Sequence, residues 1–205
     1  MRKDSKEKYW SSCGILKKWH GYEWKDFVGD KIALETVRKF TNENLDIAKQ
    51  TGVAPFLFGD NGAGKSMLLN LSFKDLIEKK YTVQVFTLGS LVTQYASGWT
   101  DTEQRRALYR VLHSTDFLGL EEVGKQTTGA AEFVNSILET ILRYRLQNKK
   151  PVWITSNIHP SKIKDMYSED VASMLREMCV EVKVELHEGE DYRKTIHEKN
   201  KKRFT

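Results

Sequence analysis

The octapeptide GDNGAGKS, Gly59 to Ser66, constrains this chain more than any other stretch. It matches the spacing G-x-x-x-x-G-K-[ST], with the apolar run APFLF before it and the leucine-rich run MLLNL after it. Such a turn, joining a buried strand to a helix with Lys and Ser in register, wraps its backbone N–H groups around phosphate oxygens. Glycine permits the close approach and supplies the positive φ angles the loop needs. The helix that opens there points free N–H groups and its positive dipole end at the anion. On this reading Gly59, Asp60, Asn61, Gly62, Ala63, Gly64, Lys65, Ser66 and Met67 line a site for ATP. Lys65 reaches the β- and γ-phosphates, and Ser66 ligates Mg²⁺.

Short strands alternate with helices around this loop. PFLFG, TVQVFT, DFLGLEE, PVWITSN and VEVKVEL read as strands. KIALETVRKFTNENLDIAKQ reads as a helix with Ile32, Val37, Phe40, Leu45 and Ile47 inward, and TG ends it. KSMLLNLSFKDLIEKK, SLVTQYAS, EQRRALYRVLH, AAEFVNSILETILRYRLQ and DVASMLREM read as further helices. The pattern predicts an α/β fold, a mostly parallel sheet with helices on both faces. A chain of 205 residues, 40% of them hydrophobic, suits one such domain. We place it at 13–192, between a mobile basic segment at 1–12 and a basic tail at 193–205.

No run of 18 apolar residues is present, so no membrane span is expected, and MRKDSKEKYW lacks the apolar core of a secretory signal. Cys13 and Cys179 have no companions at ligand spacing and read as free thiols in a reducing, cytoplasmic compartment. The net charge of +5 is carried by the ends: residues 1–20 hold six Lys/Arg against two Asp/Glu, and residues 193–205 six against one. Solvated termini and arms that contact nucleic-acid phosphates are both consistent with this.

A phosphate loop works with an acidic element on a neighbouring strand. In DFLGLEEVG, Glu121 and Glu122 fall at the C-terminal end of the strand, where open α/β sheets bind ligands. Glu121 is assigned to the metal through water, and Glu122 to polarising the attacking water. Asp116 is the competing carboxylate, but it precedes the strand. Asn157, at the end of VWITSN, is placed to hold the lytic water near the γ-phosphate.

Together these elements resemble the AAA+ ATPases of the DnaC/DnaI helicase-loader and IstB transposition-helper group, over about residues 13–195. FLFGDNGAGKSMLL resembles the Walker A region, TDFLGLEEVG the Walker B region and VWITSN the sensor 1 strand. GEDYRKT resembles the closing segment, where Arg193 is the sensor 2 arginine. The resemblance implies ATP and Mg²⁺ as cofactors. It also implies self-association through AAA+ interfaces, or association with a hexameric replicative helicase, and placement of that helicase on single-stranded DNA. TLGSLVTQYASGWTDTEQRRALYRVLH then becomes the DNA-facing element. Arg105, Arg106 and Arg110 supply its charge, and Tyr95, Trp99 and Tyr109 its stacking surfaces.

Three departures from the family pattern modify the expectation. Glu121 stands where Asp is usual, which moves the carboxylate by about 1.5 Å. Met174 stands in SMLREM where the family has its arginine finger. Arg176, two residues on, lies roughly 200° around a helix from that position. The family's N-terminal helicase-binding domain has no counterpart in the dozen residues before the match. ATP binding is therefore expected with weak hydrolysis. Two alternatives stand beside a loader: an IstB-like transposition helper, and a loader-like protein that binds or blocks a helicase without catalysis.

Overall fold

A computed structural model describes residues 3–98, 101–125, 131–186 and 201. Its elements run α1 (Lys3–Ser12), α2 (Lys31–Asn42), α3 (Leu45–Thr51), β1 (Ala54–Phe58), α4 (Lys65–Glu78), β2 (Val83–Thr87), α5 (Leu88–Ser97), α6 (Thr102–Ser114) and β3 (Phe117–Val123). They continue with α7 (Ala131–Gln147), β4 (Val152–Ser156), α8 (Ile163–Met166), α9 (Glu169–Met178) and β5 (Cys179–Lys183). The strands form one sheet in the order β2-β3-β4-β1-β5, and every pairing is parallel. Parallel neighbours require crossovers, which the helices supply.

Successive side chains of a strand face opposite ways, and here both faces are buried. On β4, Trp153 enters one core while Val152 and Ile154 enter the other. The first core gathers residues of α1 to α4, the second those of α5 to α9. Trp153 meets Phe40 and Phe73 edge to face, at 5.2 and 5.9 Å between centroids. Helix α4 lies so close to β3 that a Cβ on Gly119 would stand 3.2 Å from the Phe73 ring. The glycine of DFLGLEE therefore serves close packing.

Three features differ from the sequence reading. The helix expected over residues 31–50 breaks at Glu43 and Asn44, and the break resets its phase. Ala33, Val37 and Thr41 form the buried stripe of α2, while Ile32 and Ile47 are 78% and 59% exposed. Residues 3–12, expected to be mobile, form α1, because Trp10 is buried in the first core. The chain after α1 then lies along the edge strand: Val85 N–H donates to the Cys13 carbonyl at 2.8 Å. A Cβ on Gly14 would meet the Val85 carbonyl oxygen at 2.0 Å. Lastly, β5 begins at Cys179, directly from α9, one residue before the expected run.

Arg145 is fully buried on α7 and donates to the carbonyls of Leu112, Thr115, Asp116 and Pro151. It ties the end of α6 to the starts of β3 and β4. Burial pushes its pKa down to about 9.

Candidate nucleotide site

Strand β1 delivers the loop at Gly59, where φ is 144° and a Cβ would stand 2.1 Å from the Val184 carbonyl oxygen. Gly64 caps α4 in the left-handed region at φ 95°, and a Cβ there would stand 2.7 Å from the Phe27 ring. Glycine is thus required at both ends of the loop, by backbone on one side and by an aromatic wall on the other. The 14-residue helix α4 opens at Lys65, with its N-terminal N–H groups turned to the loop. Lys65 is buried, and its Nζ donates to the Gly59 and Asp60 carbonyls, each at 2.7 Å.

Sequence reasoning missed the Phe27 wall. A Cβ on Gly29 would stand 2.9 Å from Phe27 and 3.7 Å from the Ala63 carbonyl oxygen, so residues 27–29 border the loop. Asp30 fixes this segment. One carboxylate oxygen caps α2 by accepting from Ala33 N–H, and the other accepts from Glu185 N–H. The signal available in the sequence was the apolar pair Phe27–Val28 followed by Gly29 and a helix-capping Asp30.

Glu121 lies at the end of β3 and is only 5% exposed. Asn70, one helical turn beyond Ser66 on α4, donates from Nδ2 to Glu121 Oε1 at 2.6 Å and to the Ser66 carbonyl at 2.7 Å. Burial pushes the Glu121 carboxyl up to about 7. Hydrogen bonds from Asn70 and Ser66 and the Lys18 charge pull it down, and the neighbouring Glu122 adds to the rise. Ser66 and Glu121 are therefore brought together, with Asn70 between them.

Glu122 has a different environment. The register of β3 on β4 slips between Leu120 and Val123, so the strand carries an extra residue there, and Glu122 adopts φ 62°. Its N–H donates to Thr155 Oγ1, and its exposed carboxylate pairs with Lys125 at 3.2 Å. Bulges re-aim side chains beside sites in this way. Asn157, just past β4, donates to Asn61 Oδ1 at 2.9 Å and so touches the loop. Asp116 lies at the opposite end of β3, where it accepts from the Thr82 N–H and hydroxyl.

Met174 is buried in the second core, while Arg176 faces solvent and pairs with Glu169 at 2.6 Å. Arg193 lies outside the described residues, as does Trp99. Arg105, Arg106 and Arg110 are exposed on α6, which Asp101 caps by accepting from two N–H groups. Tyr95 and Tyr109 are half-buried, pack edge to face at 5.4 Å and share a hydroxyl–hydroxyl hydrogen bond.

The loop fits a polyphosphate, since glycine stands where backbone and ring approach most closely. The oxygen donors Ser66 and Glu121 fit a hard cation such as Mg²⁺, which keeps several waters and takes its other ligands from phosphates. Among the described residues, no group of three or more His, Cys, Asp or Glu could hold a metal unaided.

A nucleotide loop on a five-stranded 2-3-4-1-5 sheet can be compared with solved structures. The crystal structure of the DnaC helicase loader superposes with a TM-score of 0.71 at 21% identity, over 83% of this chain and 100% of that one. AMPPCP-bound DnaA from Aquifex aeolicus superposes at 0.69 and 19% identity, over 93% of this chain and 56% of that one. The chain has the AAA+ P-loop NTPase fold. In sequence, this chain is 22% identical to the replicative helicase loader DnaI of Bacillus subtilis (strain 168) over 117 residues, 57% of this chain and 37% of DnaI. It spans less than two thirds of the length of the curated relatives it matches. No family model matches it. No helix among the described residues is long and apolar enough to cross a membrane.

Proposed function

We propose that this chain binds ATP with Mg²⁺ and acts in DNA replication as a loader-like protein, placing or regulating a hexameric helicase on single-stranded DNA. The carrying observation is the convergence of three strand ends on one loop: Ser66 with Glu121 through Asn70, and Asn61 with Asn157. That convergence occurs on the fold shared with the DnaC and DnaI helicase loaders.

Lys65 and the loop N–H groups hold the β- and γ-phosphates, and Ser66 and Glu121 hold the metal. Bound Mg²⁺ would supply the positive charge that offsets the phosphate oxygens. Glu122, exposed at the bulge, orients and deprotonates water, and Asn157 positions it from the side of Asn61. Arg193, beyond the described residues, is the sensor 2 candidate. The exposed arginines of α6 meet DNA phosphates. Subunits or helicase pack against this edge, so that nucleotide state changes the surface they see. Such a chain works in the cytoplasm.

One observation favours binding over turnover. Position 174 faces the core, and Arg176 is turned outward and paired with Glu169. A partner subunit would therefore not receive the usual finger from position 174, a group often worth 10³ or more in rate. The AAA+ edge then serves as a switch more than as an engine.

The test measures ATP binding, turnover and helicase loading on one preparation, with and without single-stranded DNA. Mg²⁺-dependent binding, slow turnover and ATP-dependent helicase placement are expected. A preparation that binds no nucleotide, or forms no complex with any replicative helicase offered, would remove the proposal. Preference for duplex DNA and a transposase would replace it with the transposition-helper reading.

A further inference from the structure

We infer that Asn70 is a positioning residue for the metal-holding carboxylate, matched to a glutamate rather than an aspartate at the end of β3. The inference rests on the ATP and Mg²⁺ reading above.

The geometry is over-determined. A side-chain amide has two N–H donors and one carbonyl acceptor. Both donations of Asn70 are made, to the Ser66 carbonyl at 2.7 Å and to Glu121 Oε1 at 2.6 Å. The Ser66 carbonyl can only accept, so the nitrogen must face it, and this fixes which way the amide lies. Asn70 is 1% exposed, so its plane is locked by packing as well as by hydrogen bonds.

The amide oxygen has no hydrogen-bond partner, although it is buried. A buried acceptor left unpaired is costly. This one belongs to a residue that shares a cleft of about 350 Å³ with Glu121, Thr87 and Ser90. No residue of the phosphate loop lines that cleft, so the two donations are what bear on the metal site. Asn70 thus has two roles: it anchors itself to the Ser66 carbonyl, and it holds one carboxylate oxygen of Glu121. Groups that orient metal ligands in this way commonly tune metal affinity.

The match to glutamate is one of length. Shortening residue 121 by a methylene withdraws its carboxylate by about 1.5 Å, beyond the reach of the Asn70 amide. Lengthening residue 70 by a methylene restores the reach.

The experiment titrates Mg²⁺ against binding of a fluorescent ATP analogue, with thermal unfolding followed on the same samples. For Asn70→Ala and Asn70→Ser, the Mg²⁺ concentration at half-saturation should rise about 10- to 100-fold. Glu121→Asp should show a similar rise. The double variant Asn70→Gln/Glu121→Asp should recover to within about threefold of the parent, a rescue that a merely structural asparagine would not give. A Mg²⁺ requirement unchanged in cooperatively folded Asn70→Ala and Asn70→Ser, or a double variant no better than Glu121→Asp, would overturn the inference alone. Parent protein that binds the analogue without Mg²⁺ dependence would overturn the nucleotide reading and this inference with it.

Discussion

At the loop edge of the sheet Lys65, Asn70 and Glu121 are buried and held by named partners, whereas on α6 Arg105, Arg106 and Arg110 stand in solvent. The first region pays for order in advance, through glycines that leave no room for a Cβ and through hydrogen bonds between elements far apart in sequence. The second is a capped helix with charge on its surface. A rigid edge suits a ligand of fixed geometry, and an exposed basic helix suits a flexible polyanion that presents many registers. The contrast teaches where substitution should abolish a function and where it should only grade it.

The largest effect is expected at Lys65. Its ammonium already bridges the Gly59 and Asp60 carbonyls, so it is held in place before any phosphate arrives. Lys65→Ala should weaken ATP analogue binding by about 100-fold or more, the scale of losing charge-assisted hydrogen bonds. Affinity within tenfold of the parent would show that the edge does not act as a preorganised phosphate site.

Met174→Arg places a guanidinium in the second core, at a position 7% exposed. It should destabilise the fold by about 2–4 kcal/mol, and Met174→Leu by about 1 kcal/mol or less. Chemical denaturation measures both. A stable Met174→Arg with raised ATP turnover would instead restore the finger and remove the switch reading.

Glu121 gives a smaller, pH-dependent effect in metal-free protein. Its pKa is raised by burial, from 4.5 to about 7. The folded state therefore binds the proton more tightly than the unfolded chain, and stability falls as pH rises from about 4.5 to about 7. The fall amounts to about 3 kcal/mol, complete above the folded pKa. Glu121→Gln can still accept from Asn70 and carries no charge. It should match the parent near pH 4.5, exceed it at pH 8 and flatten the slope between. Parallel unfolding curves for the two proteins from pH 5 to 8 would exclude a buried, proton-holding carboxyl.

The same contrast sets what could be read from sequence. The loop, β3 with its terminal glutamates and β4 with Asn157 were legible, because each is a local pattern: glycine spacing, a short apolar run, a polar residue at a strand end. The sheet and the helices on its two faces followed from the alternation. Asn70 was not legible, since its partner Glu121 lies 51 residues away and an asparagine inside a helical stripe has no local signature. Arg145 was read as part of a helix end, yet it is buried among carbonyls from α6, β3 and the approach to β4. Lys74 likewise lies buried under carbonyls of Trp19, His20 and Tyr22. Helix α1 was missed because its strength is tertiary: one buried tryptophan and the edge of β2, not periodicity. The stripe expected over residues 31–50 is out of phase at Ile32 on α2 and Ile47 on α3, because the break at residues 43–44 has no glycine or proline to mark it.

The smallest effects belong to α6, and they separate charge from stacking. Tyr95 and Tyr109 spend their rings and hydroxyls on each other, so base stacking is not their evident use. On the proposed function the exposed arginines would act through phosphates, each by counterion release rather than by shape. Arg105→Ala, Arg106→Ala and Arg110→Ala should each weaken single-stranded DNA binding by about three- to tenfold at low salt. Each should reduce the slope of log affinity against log salt by about 0.7, uniformly across sequences. Tyr109→Phe removes the shared hydroxyl contact while keeping the ring, and should leave DNA affinity within about twofold. Fluorescence anisotropy over a salt series reads all four. A Tyr109→Phe loss larger than any arginine loss would reverse the assignment, because a graded electrostatic surface has no reason to depend on one phenol oxygen.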